Sequence, residues 1–183
     1  MLVFALTTKA QSLLGIPFSG NTNTFKNELV KKGFVVQPNK TGVKNVFILK
    51  GTILSRKCNV FVFGTPKTNQ VYKMVAYTPE ETNFTDLSST FDVIQGYLEE
   101  KYGKGEGECI DYFKSPYERY DGYEMTAIKV NKYLRMCLLG DKEPNMSVAI
   151  LIEKYAQVKM IWENVANTEV NKTERLEKAK NEL

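Results

Sequence analysis

Tyr133-Leu-Arg-Met-Cys-Leu-Leu139, Ser147-Val-Ala-Ile-Leu-Ile152 and Val158-Lys-Met-Ile-Trp-Glu-Asn-Val165 decide the fold. In the first, Leu134, Met136 and Leu138 point one way while Tyr133, Arg135 and Cys137 point the other. In the third, Val158, Met160 and Trp162 oppose Lys159, Ile161 and Glu163. Period two marks strands with two unlike faces, and short connections join antiparallel neighbours. The crossover helices that parallel strands need are missing, so these segments predict an antiparallel meander covered on one face.

Upstream, Leu87, Phe91, Ile94, Leu98 and Tyr102 follow Asn83-Phe-Thr85 and stop at Gly103. Their spacing of four or three lays one apolar stripe along a helix. Between that helix and Tyr133, residues 109–113 and 123–130 read as two further strands. The first half of the chain repeats the order. Phe25, Leu29 and Val30 predict a helix over 23–32 ending at Gly33, followed by strands at 46–49, 60–63 and 71–77. The turns between them carry Asn39-Lys-Thr-Gly42, Gly51 and Gly64-Thr-Pro-Lys-Thr-Asn69. Val30-Lys-Lys-Gly-Phe34 and Glu100-Lys-Tyr-Gly-Lys104 occupy equivalent helix ends. The expected fold class is therefore α+β: two tandem helix-plus-meander repeats, 15–80 and 83–165, within one domain over 13–166, with helices on one face of an antiparallel sheet. Residues 167–183 are highly charged and predict a mostly solvated C-terminal helix that frays.

A chain of 183 residues with 43% hydrophobic and 25% charged residues folds without help from a metal or disulfide. Histidine is absent. That removes Ser-His-Asp and Cys-His catalysis, histidine-ligated zinc and imidazole pH sensing. The net charge of +4 is spread thinly, and Lys and Arg never run to five in a row. Nucleic-acid binding favours a concentrated phosphate-facing patch, so none is expected. No stretch approaches the roughly 18 apolar residues of a membrane span. Residues 1–12 read as the remnant of a secretory signal, with Leu2 to Leu6 apolar, Thr8 and Ala10 at the −3 and −1 positions, and maturation at Gln11. The alternative is a buried N-terminal strand. Cys58, Cys109 and Cys137 permit one disulfide in any of three pairings, or three buried thiols.

Gly15-Ile-Pro-Phe-Ser-Gly20, Lys31-Lys-Gly-Phe34, Leu49-Lys-Gly-Thr52 and Leu98-Glu-Glu-Lys-Tyr-Gly-Lys104 resemble an uncharacterised family of exported proteins of gut Bacteroidetes. The likeness continues through Glu108-Cys109 and Ile161-Trp-Glu-Asn164, covering most of the chain after residue 13. It implies a β-lactamase-inhibitor-like architecture of tandem α/β repeats and a periplasmic or secreted location, cytoplasmic being the alternative. It transfers no catalytic residues, and inhibition of a β-lactamase does not follow from a shared fold.

Three motifs bear on chemistry. Gly103-Lys-Gly-Glu-Gly107 follows a helix and lacks the Lys-Ser/Thr ending of a phosphate loop, so it reads as a helix stop. Glu80-Glu81, Glu99-Glu100 and Asp141-Lys-Glu143 show no pairing suited to acid–base work and read as solvated positions. The third is the tyrosine-rich segment 112–123, with Tyr112, Tyr117, Arg119, Tyr120 and Tyr123 around a proline and a glycine. Tyrosine and arginine are enriched where proteins bind proteins; the competing reading pairs Tyr112 with Tyr123 across a hairpin. The expectation is a non-enzymatic exported protein without cofactor or metal that binds an unknown protein partner, as an inhibitor-like module would. A structural or assembly factor of the cell envelope is the alternative, and the oligomeric state is open.

Overall fold

A computed structural model describes residues 12–40, 42–105, 109–140, 142 and 145–181. The elements run β1 (Ser12–Leu13), β2 (Ile16–Pro17), α1 (Thr22–Lys31), β3 (Val35–Gln37), β4 (Val46–Ile53), β5 (Arg56–Gly64), β6 (Val71–Tyr77) and α2 (Phe84–Tyr102). Then come β7 (Ile110–Phe113), α3 (Glu124–Lys129), β8 (Tyr133–Leu139), β9 (Met146–Glu153), β10 (Gln157–Asn164) and α4 (Val165–Asn181). The fold is α+β with one large antiparallel sheet, in the order β3-β4-β5-β6-β10-β9-β8-β7. Two meanders meet through their last strands, with Tyr77 opposite Lys159 and Lys73 opposite Glu163.

Local chemistry sets the element ends. Asn21 caps α1 by accepting the Asn23 N–H at 2.8 Å, and Asn83 caps α2 by accepting the Asp86 N–H at 2.8 Å. Gly103, at φ 87°, lets the chain leave α2 through backbone that L side chains resist. Leu54 and Ser55 turn β4 into β5 with both φ values positive, the hairpin geometry that follows strand twist.

Paired residues share a face, so the registers sort the sheet into two layers. Leu49, Val60, Val62, Met74 and Ala76 share one face with Met160, Trp162, Ile150, Val148, Cys137 and Leu139. All are buried together with Phe25 and Leu29 of α1 and Leu87, Phe91, Ile94 and Leu98 of α2. Each such side chain contributes roughly 1.5–3 kcal/mol. The β1–β2 hairpin adds Leu13 and Ile16, and Phe18 stacks on Phe25 at 5.4 Å. The Phe18 carbonyl accepts a hydrogen bond from Asn164 Nδ2 at 2.8 Å, tying the start of the described chain to its last strand.

Several expectations need correction. Residues 123–130 are not a strand: 124–129 form α3. Both flanks of β8 are taken by β7 and β9, so these residues cannot pair with it. Asp121 accepts the Tyr123 N–H at 2.7 Å and Glu124 accepts the Tyr120 N–H at 2.8 Å, shaping the entry into that helix. Tyr112 consequently pairs with Leu134, not Tyr123. α4 starts directly from β10 and is seated by polar groups, with Asn171 and Glu174 buried while Leu176 is exposed. Its C-terminal residues border the sheet face opposite α1 and α2, so the helices do not all share one face. β3 was not anticipated. Cys109 and Cys137 form a disulfide, and Cys58 is a buried thiol. The signal reading of residues 1–12 falls outside the described residues apart from Ser12, as do Gly107, Asp141 and Glu143. Among the described residues, no helix is long and apolar enough to cross a membrane.

Candidate functional site

The tyrosine-rich segment divides into three parts. Tyr112 lies on β7 and, through its register with Leu134, on the face away from α2. Its neighbours Asp111 and Phe113 face α2, where Phe113 meets Phe84 at 5.8 Å. Asp111 accepts from Tyr133 Oη at 3.0 Å and from Arg119 Nη2 at 2.7 Å. Arg135 joins this group: its Nε lies 3.5 Å from Asp111, it bonds Asp92 of α2, and its guanidinium sits 4.2 Å over the Phe91 ring. The hydrogen bond to Asp111 chiefly raises the Arg119 pKa, against the opposing effect of burial. Burial, then the charge and hydrogen bond of Asp111, push the Tyr133 hydroxyl well above its ordinary value. Arg119 is thus part of a clamp between loop, sheet and helix. Tyr117 packs against the core. Tyr120 and Tyr123, at 87% and 63% exposure, stand in solvent.

The sheet face opposite α1 and α2 is also apolar. At the β7–β8 edge, Ile110, Tyr112, Leu134, Met136, Leu138 and Leu151 share that face by register. Leu138 is 53% exposed, Tyr112 44% and Ile110 40%. A cluster of exposed aromatic and aliphatic side chains on an uncovered sheet face is the surface type that marks interaction sites.

At the other end of the same face lies a cleft of about 1400 Å³. Its floor is Phe61, Phe63, Tyr72, Val75 and Tyr77, with Phe61 edge-on to Tyr77 at 5.7 Å and Phe63 against Tyr72 at 6.3 Å. Residues 42–46, running into β4, and α4 residues Arg175, Lys178, Ala179 and Asn181 border it. Asn45, at φ 61°, fixes the loop by donating to the Thr65 and Pro66 carbonyls. α4 is held by Asn167, which donates to the Val71 carbonyl at 2.7 Å, and by Glu174. The Glu174 carboxylate accepts from the Lys67 N–H at 2.6 Å and from Thr68 Oγ1 at 2.6 Å. Burial raises its pKa, but these hydrogen bonds outweigh that and hold it below the ordinary value.

Six cations line the cleft: Lys44, Lys67, Lys73, Lys159, Arg175 and Lys178. Among the described residues no carboxylate does. Lys67, Lys73 and Lys159 pair with Glu177, Glu163 and Glu153 at 2.6, 2.7 and 2.7 Å. Burial works to lower the Lys159 pKa, yet its bonds to Glu153 and Tyr77 keep it raised. Arg175 donates to the amide oxygen of Asn171 at 3.2 Å. Among the described residues neither Lys44 nor Arg175 has an ion pair.

The thinly spread charge of the sequence is therefore gathered by the fold. One signal for the cleft stands in the sequence: Val46-Phe-Ile-Leu49 and Val60-Phe-Val-Phe63 are unbroken apolar runs, which mean strands apolar on both faces. Of the carboxylates, Glu81 accepts from Thr90 and Glu99 from Gln95. No group of three metal-type ligands comes together among the described residues. No family model, curated protein sequence or solved structure matches the chain.

Proposed function

We propose that the chain is a non-enzymatic, exported binding protein that takes a protein partner on the uncovered face of its sheet, at the β7–β8 edge. The observation that carries this reading is the exposed cluster of Ile110, Tyr112 and Leu138. It is exposed on the two outermost strands of the sheet, which suits another protein's surface better than an enclosed small molecule. Tyr112, from the tyrosine-rich segment, belongs to it; Tyr120 and Tyr123 add exposed aromatic area from the neighbouring loop. The Cys109–Cys137 disulfide supports export, since such bridges persist in oxidising compartments. Support for two tandem repeats is the order of elements, a helix followed by four sheet strands in each half, with α3 inserted in the second.

The test is a photo-crosslinker placed in turn at Tyr112, Leu138 and, as a control on α2, exposed Tyr97. Expected is one protein captured from the first two positions and not from the third, which binds the purified chain at least tenfold more weakly after Leu138→Glu. Equal capture from all three positions would defeat the reading. So would a homodimer through this face, which would make a second copy the partner.

A further inference from the structure

We propose that the cleft between the uncovered sheet face and the end of α4 binds an amphipathic organic anion: an aromatic or acyl body carrying one carboxylate or phosphate. Two independent properties of the cleft select that class. The floor of Phe61, Phe63, Val75 and Tyr77 offers apolar and π surface that only an apolar body can cover. The border is cationic: three of its lysines are ion-paired to Glu177, Glu163 and Glu153, and no carboxylate among the described residues lines the cleft itself. Lys44 from the loop and Arg175 from α4 add charge that no ion pair among the described residues meets. An anion bound there is drawn by a field focused over a low-dielectric floor.

The geometry disfavours the neighbouring classes. A nucleic-acid strand needs cations along its whole track. Here they stop at the cleft, and the sheet face continues into Leu151, Met136 and Leu138. A compact inorganic anion would leave the aromatic floor wet. Ordinary small-molecule pockets span roughly 300–1,000 Å³, so a volume of about 1400 Å³ fits an extended acyl chain or several rings. The site differs from the protein-binding edge proposed above in both position and chemistry, and each can fail without the other.

The experiment is calorimetric titration of the full chain with decanoate, decyl phosphate, decanol and inorganic phosphate, all below micelle-forming concentrations. The Lys44→Gln/Arg175→Gln variant is run beside Lys114→Gln/Lys132→Gln as a distant control, with circular dichroism checking that each is folded. Expected is at least tenfold tighter binding of decanoate or decyl phosphate than of decanol. The cleft variant loses that preference and the control keeps it; the ratio of the two anions identifies the head group. Equal binding of decanol and both anions, or an unchanged preference in the cleft variant, would overturn the proposal. Inorganic phosphate binding as tightly as decyl phosphate would also overturn it, as would displacement of decanoate by oligothymidylate at lower concentration than by decyl phosphate.

Discussion

Removing the Cys109–Cys137 bridge with Cys109→Ser/Cys137→Ala is the sharpest test of the edge of the sheet. Cys137 is buried at the end of the β7–β8 ladder, where alanine keeps the site apolar, whereas Cys109 is exposed and accepts serine. The bridge closes a separation of 28 residues. A loop of that size restricts the unfolded chain by about 12 cal/mol/K, or about 3.6 kcal/mol at room temperature. That is roughly a 400-fold change in the folding equilibrium. With a urea slope of about 2 kcal/mol/M, the midpoint falls by about 1.8 M. Trp162, the single tryptophan, lies buried in the core and reports the transition by fluorescence. A midpoint shift below about 0.3 M would refute the loop-closure reasoning. Three titratable thiols in unreduced, denatured protein would refute the bridge itself; one is expected.

Four other outcomes follow from the packing. Cys58, whose thiol burial pushes up to about 11, should resist alkylation at pH 8 in the folded protein and react once unfolded. Gly51→Ala should destabilise by about 1–3 kcal/mol in urea melts, because an added Cβ would stand 2.1 Å from the Phe34 ring. Ser55→Gly should stabilise by about 1 kcal/mol, since Ser55 sits at φ 61°, in left-handed backbone that glycine adopts without strain. Glu174→Gln should lower stability by about 1 kcal/mol at neutral pH through weaker hydrogen bonds to the loop at 67–68. The folded pKa of Glu174 is depressed, so its contribution is complete above the ordinary 4.5 and disappears as pH falls through the folded value. The gap between wild type and variant should therefore close in acid melts.

The sheet was legible wherever one face met the core and the other met water. Tyr133 to Leu139 and Val158 to Asn164 alternate because only their α2-facing residues are buried, so periodicity reports burial directly. Residues 123–130 defeated the same logic. Ala127 and Ile128 are adjacent buried residues on one short helix, and nothing local reveals that β8 has no free edge for a further strand. The cysteine pairing depended on register, since only the alignment of Ile110 with Met136 brings Cys109 beside Cys137. The cleft was least legible. Lys44 and Arg175 are 131 positions apart (175 − 44), and their meeting depends on how Glu174 and Asn167 dock α4. The apolar runs of β4 and β5 were visible as strands, but without the rest of the chain they did not say which face would stay open.

The pairing of β6 with β10 has a consequence for the order in which the protein is made. When β6 leaves the ribosome, its inner edge faces nothing, and it stays unpaired until β10 emerges 87 residues later (164 − 77). At about 5–20 residues per second that wait is on the order of ten seconds. Throughout it the nascent chain carries an apolar meander with an open strand edge, a template for joining a neighbouring chain. The edge closes only when the last strand arrives, pairs with β6 and brings Asn164 to the Phe18 carbonyl.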